Sequence, residues 1–303
     1  MKFKHLLLII LVLSTLVLLF SCGKPQNVEE YTVTFDANGG TEIEAQKIKQ
    51  GELVTTPEQP KRTYYTFMGW YLDGTEWSFL DNTVNDNMTL TAMWELDENQ
   101  VKKKMEDLLN NKVVKVTHVY KENGEEKSRD GIGLAINIIG GYCYIVTNYH
   151  TVNLLENQSE SKITVTDCKG NEFEAEVFKP NYKENPAMDS EYDLAAICFP
   201  YSGMEIQEYA NFGAKSDVGD IVFSMGYSSE LLFSRGEIVD IDVADLNCEV
   251  YQHNAISENM PNESLLFNLS MKLIGITYRT ENGVAYAIFE EKVRDFLNNY
   301  VYA

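Results

Sequence analysis

The segment from Gly131 to His150 reads GIGLAINIIGGYCYIVTNYH and carries the clearest indication of the fold. It contains two apolar, strand-like runs separated by the glycine pair at positions 140 and 141. Paired glycines are typical of turns. The stretch therefore predicts two consecutive strands, the second of which leads to a histidine.

Similar short runs recur before and after this stretch, with turn residues between them. They are VVKVTHVY from Val113, KITVTDC from Lys162, DLAAICF from Asp193, DIVFSMGY from Asp220 and KLIGITY from Lys272. Many short strands in succession predict an all-β barrel or sandwich. Residues 289–300 alone in this region show apolar residues at helical spacing, at Val293, Phe296 and Leu297, and predict a closing helix.

The Gly-x-Gly strand that leads to Thr-Asn-x-His in this stretch resembles the HtrA-type trypsin-like serine peptidases. The resemblance implies that His150 occupies the position of the catalytic histidine. Asp193, in the run YDLAA, occupies that of the catalytic aspartate. The runs VGDIVFSMGY, SRGEIVDI and LFNLSMKLIGI are similar to the strands that flank the family's nucleophile loop. The family fold is a chymotrypsin-like double β-barrel, which we expect over residues 113–303.

The nucleophile loop departs from the family pattern. The family reads Gly-Asn-Ser-Gly-Gly-Pro, whereas residues 259–265 read NMPNESL. Counting back from the following strand places Asn262 at the nucleophile position, and counting forward from Ala255 places Pro261 there. Neither is a nucleophile of this class. The glycines that let backbone N–H groups converge on an oxyanion are also missing.

Three hypotheses follow for this second domain. The first is a pseudopeptidase that binds a peptide or protein at the cell surface. The second is an active serine endopeptidase that uses Ser264, the nearest hydroxyl, with His150 and Asp193. The third is an adhesion or structural protein in which both domains are spacers. None of these hypotheses requires a cofactor or a metal, and the sequence predicts neither.

The N-terminus has the charged-then-apolar order of a secretory signal, with Lys2 and Lys4 before an apolar run that ends near Phe20. The run is shorter than the ~20 residues of a membrane-spanning helix, which favours cleavage over an uncleaved anchor. Leu19-Phe20-Ser21-Cys22 resembles the lipobox of bacterial lipoproteins. The resemblance implies a signal peptide over residues 1–21 and membrane anchoring, outside the cytoplasmic membrane, through lipidated Cys22.

The net charge of the chain limits the classes of partner that it can bind. The formal charge is −21, and no basic face that would neutralise phosphates is evident, so the sequence excludes nucleic acid as a partner. Lys102, Lys103 and Lys104 are interpreted as a solvated helix face.

The four later cysteines could form two disulfides, but Cys143 and Cys198 lie in apolar strand-like runs, which favours buried free thiols.

Ahead of the barrel region, residues 31–94 carry alternating strand-like runs, turn residues and all three tryptophans of the chain. The pattern FDANGG, P-x-x-P, F-x-GWY-x-D and T-L-x-A-x-W resembles the Listeria-Bacteroides repeat, a β-grasp-like module of bacterial surface proteins. The resemblance implies a spacer or adhesion module whose aromatics form a core, with a ligand platform as the alternative. We therefore expect a linker over 22–30, the module over 31–95, a linker helix over 96–112 and the peptidase-like domain over 113–303.

Overall fold

The computed structural model describes residues 29–109, 112–181, 183–200, 211–228, 230–243 and 248–302. The predicted signal peptide and Cys22 lie outside the described residues. The chain divides into two compact units, Met1–Glu98 and Asn99–Ala303. None of the helices in the described ranges is both long enough and apolar enough to cross a membrane.

The first unit is built on one five-stranded sheet. Its strands are β1 (Glu30–Asp36), β2 (Gln46–Lys49), β3 (Tyr65–Leu72), β4 (Thr75–Glu76) and β5 (Met88–Leu96), in the order β2-β1-β5-β3-β4. Strands β1 and β5 are parallel, and the other pairs are antiparallel. Asn38 and Gly39 follow β1 with φ values of 45° and 83°, as expected of the turn predicted at this position.

Aromatic side chains form the core of the first unit. Phe35 and Trp70 meet edge to face with ring centroids 4.9 Å apart, and Phe67 lies 5.5 Å from Trp70 and 5.4 Å from Trp94. The indole N–H of Trp94 donates a hydrogen bond to the carbonyl of Ala37 at 3.0 Å, which ties β5 to the turn after β1. These rings therefore form the core of the module, and the burial of large aromatic side chains stabilises a domain of this small size.

The second unit begins with helix α1 (Glu98–Leu109), whose Val101 and Met105 side chains are fully buried. A first sheet follows, in the order β10-β9-β6-β7-β8-β12-β11. An additional β10–β12 pairing closes six of these strands into a barrel, and the short β11 pairs with β12 outside the closed ring. The strands of this sheet are β6 (Val113–Glu122), β7 (Glu125–Ile139), β8 (Tyr142–Asn148), β9 (Gln158–Thr166), β10 (Glu172–Val177), β11 (Met188–Asp189) and β12 (Leu194–Pro200). A single helical turn, α2 (Tyr149–Val152), lies between β8 and β9.

A second closed barrel follows, with strand order β13-β14-β15-β18-β17-β16. Its strands are β13 (Ile221–Tyr227), β14 (Leu231–Val243), β15 (Glu249–His253), β16 (Ser264–Asn268), β17 (Leu273–Glu281) and β18 (Val284–Phe289), and helix α3 (Glu290–Tyr300) closes the unit. The structure is mostly β and contains two six-stranded barrels and a C-terminal helix. The fold class predicted from the sequence is confirmed.

Close packing explains the Gly-x-Gly pattern of β7. A Cβ atom at Gly133 would lie 2.4 Å from the Ile145 side chain, and one at Gly131 would lie 2.7 Å from the Thr151 side chain. Gly131 thus lets α2 approach the strand, and Gly133 leaves room for the Ile145 side chain in the barrel core. Cys143 and Cys198 are free and buried in the first barrel, and burial raises the pKa of Cys143 to about 12.

We predict that the two units unfold separately, because each has its own sheet and its own hydrophobic core. Differential scanning calorimetry of residues 29–303 should show two transitions. Fragments 29–98 and 99–303 should each reproduce one of them. A single cooperative transition that neither fragment reproduces would contradict this prediction.

Candidate active site

Two neighbouring strands of the first barrel place His150 beside Asp193. His150 lies in α2, directly after β8, and Asp193 directly precedes β12. Strands β8 and β12 are antiparallel, with Asn148 opposite Leu194. The backbone N–H of Tyr149 continues this pairing by donating to the carbonyl of Asp193 at 3.0 Å. The antiparallel register thus brings together two residues that are 43 positions apart in the chain.

The carboxylate of Asp193 holds the imidazole in one orientation. Its Oδ2 lies 2.7 Å from His150 Nδ1 and accepts a hydrogen bond from Asn148 Nδ2 at 2.9 Å. Its Oδ1 accepts the backbone N–H of His150 at 2.9 Å. Asp193 adopts the left-handed region, with φ of 51°, which an aspartate tolerates better than most residues. Asp193 therefore fixes the position of both the ring and the backbone of His150.

A second carboxylate occupies the other side of the ring. Glu263 Oε1 lies 2.6 Å from His150 Nε2, where a nucleophile hydroxyl would lie in an active peptidase. Counting along the sequence places Asn262 at the nucleophile position, but Asn262 is exposed and its neighbour Glu263 reaches the ring. The glutamate side chain is only 16% exposed. Its three-atom reach from Cβ to the carboxylate oxygens allows this contact from the end of the loop.

The two carboxylates keep the imidazole protonated. Burial opposes the charged form of His150, but hydrogen bonds and charge from Asp193 and Glu263 outweigh it and raise the pKa of His150 to about 10. At neutral pH both ring nitrogens therefore carry protons. A doubly protonated imidazole has no lone pair with which to accept a proton from a hydroxyl.

Ser264, the alternative nucleophile, points elsewhere. It is fully buried, and its hydroxyl lies 3.4 Å from that of Ser224, which donates to the carbonyl of Ala255 at 2.6 Å. Successive side chains of a strand point to opposite faces. Ser264 begins β16 and faces the barrel interior, whereas Glu263, one residue earlier, faces His150. The structure does not bring Ser264 to the His150 ring.

The loop also lacks the pair of N–H donors that stabilises an oxyanion. In the peptidase template these donors are the nucleophile and the residue two positions before it. If Asn262 is taken as the nucleophile position, the second oxyanion donor is the N–H of Met260, which already donates to the carbonyl of Ser257 at 2.9 Å. If Glu263 is taken as the nucleophile position, the second donor falls on Pro261, which has no N–H. The oxyanion pair is incomplete in either register.

Residues Met260 and Pro261 also fill space against the second barrel. A Cβ atom at Gly226 would lie 2.7 Å from Met260 Sδ and 3.0 Å from the Pro261 ring. The loop therefore packs directly on β13. This packing holds the segment before Glu263 close to the barrel wall.

Polar contacts behind the site join the two barrels. Asn148 Nδ2, in the first barrel, also lies 3.2 Å from the carbonyl of Thr277 in β17 of the second barrel. The Thr277 hydroxyl contacts Nε2 of His253 at 3.1 Å. Burial lowers the pKa of His253 to about 4, so this second histidine is neutral. Of the two histidines near the barrel interface, His150 alone carries charge at neutral pH.

Sequence reasoning anticipated the His150 and Asp193 pair but assigned no role to Glu263. The available signal was that a carboxylate stood where the family has a small glycine, next to the nucleophile position. Within the described ranges, no three His, Cys, Asp or Glu side chains are grouped as a bound metal would require.

Comparisons with known proteins match the two units separately. Residues 31–93 match the Listeria-Bacteroides repeat domain, which confirms that part of the sequence prediction. The chain is 40% identical over 73 residues to the "Putative Gly-rich membrane protein" of Evansella cellulosilytica and 34% identical over 76 residues to Internalin H of Listeria monocytogenes. These alignments cover 23% and 24% of the chain.

A longer alignment covers 48% of the chain, with 27% identity over 161 residues to the "Probable periplasmic serine endoprotease DegP-like" of Rickettsia prowazekii. The alignments span 8%, 14% and 28% of the length of the Evansella, Listeria and Rickettsia proteins, respectively. The chain thus combines a Listeria-Bacteroides repeat domain with a double barrel that fits a trypsin-like fold and has weak similarity to a serine endoprotease.

Proposed function

We propose that this protein is a surface-anchored pseudopeptidase, a trypsin-like double barrel that binds a peptide or protein and does not cleave it. One observation carries the proposal, namely the 2.6 Å contact between Glu263 Oε1 and His150 Nε2. Serine-peptidase chemistry needs a neutral imidazole that takes the proton of the attacking hydroxyl. In this protein the atom that would take that proton already holds one and donates it to a carboxylate.

Two further features support the loss of turnover. The nearest hydroxyl of the described loop, that of Ser264, does not replace the nucleophile, because Ser264 faces the barrel interior. The oxyanion pair is incomplete because of Pro261 or the bonded N–H of Met260. Removing one oxyanion donor alone costs about 10²–10³ in turnover in a reference peptidase, and removing the nucleophile costs about 10⁶. Each defect alone is therefore enough to remove most of the turnover, and repairing one does not restore the chemistry.

The remaining architecture supports a binding role at the cell envelope. Both barrels of the second unit are closed, so the described strands keep the framework that holds His150, Asp193 and Glu263 together. The relatives that match the chain carry names of membrane proteins, an internalin and a periplasmic endoprotease. Together with the lipobox-like Leu19-Phe20-Ser21-Cys22, these names support anchoring through Cys22 on the outer side of the cytoplasmic membrane. The repeat module would then hold the barrels away from the membrane.

Active-site labelling tests the loss of catalysis. We expect wild-type protein and the Asn262→Ser variant to remain unlabelled by a serine-directed phosphonate probe, because the Glu263 carboxylate still keeps His150 protonated and Pro261 still lacks the N–H of an oxyanion donor. Rebuilding residues 260–264 as Gly-Asn-Ser-Gly-Gly should permit labelling at the new serine. Intact-mass spectrometry measures the adduct in each case.

The control for labelling is His150→Ala in the rebuilt variant, which should abolish the adduct. An active trypsin-like peptidase treated in parallel verifies the probe. Stoichiometric labelling of wild-type protein at Ser264 that disappears in His150→Ala would overturn the pseudopeptidase proposal and establish the endopeptidase.

The titration of His150 tests the charge of the site. We expect its pKa near 10 by two-dimensional NMR, and a decrease of about one to three pH units in Glu263→Gln, because one of two carboxylate partners is lost. Glu258→Gln removes an exposed carboxylate from the same loop and should leave the pKa unchanged. A wild-type pKa near 6.5 would contradict the charged-imidazole assignment.

The same titration predicts a pH dependence of stability. A histidine pKa raised from 6.5 to about 10 on folding contributes stability that is fully present below pH 6.5 and is lost as the pH rises through 10. Wild-type protein should therefore be more stable than Glu263→Gln at pH 6. The difference should disappear above pH 10 in urea unfolding. A difference that grows with pH would show that another group is responsible.

Membrane anchoring is tested by processing in cells. We expect Cys22→Ala to remain unprocessed and to lose acylation, whereas wild-type protein partitions into the detergent phase. Ser21→Ala keeps a small residue before the cysteine and should be processed normally. Wild-type protein recovered wholly in the medium, with an unmodified N-terminus beyond Cys22, would refute lipid anchoring.

A further inference from the structure

The helical turn that carries His150 is too short to satisfy its own carbonyl groups. Helix α2 spans four residues, and the one α-helical bond recorded at its end joins the N–H of Asn153 to Tyr149 O at 2.9 Å. The carbonyls at a helix C-terminus need partners from outside the helix. Here they are supplied by side chains from the neighbouring strands β6 and β7.

Arg129, in β7, supplies two of these partners from one nitrogen. Its Nη1 donates to the carbonyl of His150 at 3.0 Å and to that of Asn153 at 2.7 Å. A cation at the C-terminal end of a helix also complements the partial negative charge there. The backbone oxygen of the site histidine itself is therefore held by Arg129.

The Arg129 side chain is in turn fixed by its surroundings. Its Nε donates to the Tyr120 hydroxyl at 3.1 Å, and its guanidinium lies 4.4 Å from the centre of the Tyr120 ring. Its Nη2 donates to Gln158 Oε1 at 2.8 Å, which also accepts the N–H of Leu155 at 3.0 Å. The planar fork of arginine makes these contacts together, which the single ammonium of lysine cannot do.

His118 completes the support from β6. It is fully buried, its Nδ1 lies 3.1 Å from the carbonyl of Thr151, and its Nε2 lies 2.7 Å from the Ser161 hydroxyl. A carbonyl oxygen only accepts, so Nδ1 carries the proton and Nε2 accepts from the serine. Burial lowers the pKa of His118, which keeps this arrangement neutral.

We propose that Arg129 is the positioning residue of His150, acting through the backbone of α2 to hold the imidazole between Asp193 and Glu263. Within the described residues, the side-chain hydrogen bonds of Arg129 reach no side chain of the Asp193–His150–Glu263 set. Its effect therefore passes through the carbonyls of His150 and Asn153. Arg129 would hold His150 in this position whether or not the site cleaves peptides.

The pKa of His150 separates positioning from simple charge. Removing a positive charge near an imidazole raises its pKa, whereas loosening the contacts with two carboxylates lowers it. We expect Arg129→Met to lower the pKa of His150 by about one unit or more in an NMR titration of the full mature chain. Arg129→Lys should give a His150 pKa between those of wild-type protein and Arg129→Met, because an ammonium can keep only some of the hydrogen bonds that the guanidinium makes.

Arg294→Met is the matched control. Arg294 is also an arginine of the second unit, and it pairs with Glu290 in α3 at 3.2 Å. Its removal should leave the His150 pKa unchanged. An unchanged or raised pKa in a folded Arg129→Met protein would overturn the proposal.

Tyr120→Phe provides an independent variant if Arg129→Met does not fold. It removes the hydroxyl that accepts from Arg129 Nε and keeps the ring beneath the guanidinium. We expect a smaller decrease in the His150 pKa, in the same direction. A His150 pKa in Tyr120→Phe that equals or exceeds the wild-type value would refute the positioning role.

Discussion

The hydrogen bonds of His150 to Asp193 at 2.7 Å and to Glu263 at 2.6 Å connect the two barrels through a single charged ring. Asp193 belongs to the first barrel, and Glu263 directly precedes a strand of the second. Removing one partner of a partly buried ion pair leaves the other charge uncompensated. The same contact that joins the barrels thus also determines the protonation state of the site.

Under the proposed function, the site keeps the histidine–aspartate geometry of a peptidase without its chemistry. The aspartate still orients the imidazole, and Arg129 and His118 still hold the turn on which it lies. In that proposal, Glu263 occupies the nitrogen that would accept the proton of a nucleophile, in addition to the absent nucleophile and the incomplete oxyanion pair. A site of this kind can recognise a ligand by shape and hydrogen bonding without transferring a proton.

Much of the fold could be predicted because it depends on local patterns. Period-two runs separated by turn residues indicate strands, and Gly131 and Gly133 are required where α2 and Ile145 approach β7. His150 and Asp193 were recognisable because each follows or precedes a strand within a family-like motif. The repeat module was recognisable for the same reason, through its turn residues and its aromatic positions.

Local patterns indicated the longer strands and the repeat module, and the resemblance to HtrA-type peptidases implied the positions of His150 and Asp193. The residue that meets Nε2 of His150 could not be predicted in this way, because that contact is tertiary and joins residues 113 positions apart. Counting indicated Asn262, but side-chain reach selects Glu263, and strand alternation turns Ser264 into the barrel. Arg129 likewise acquires its role only when β7 packs beneath α2, since its partners are backbone carbonyls that carry no signature in the sequence.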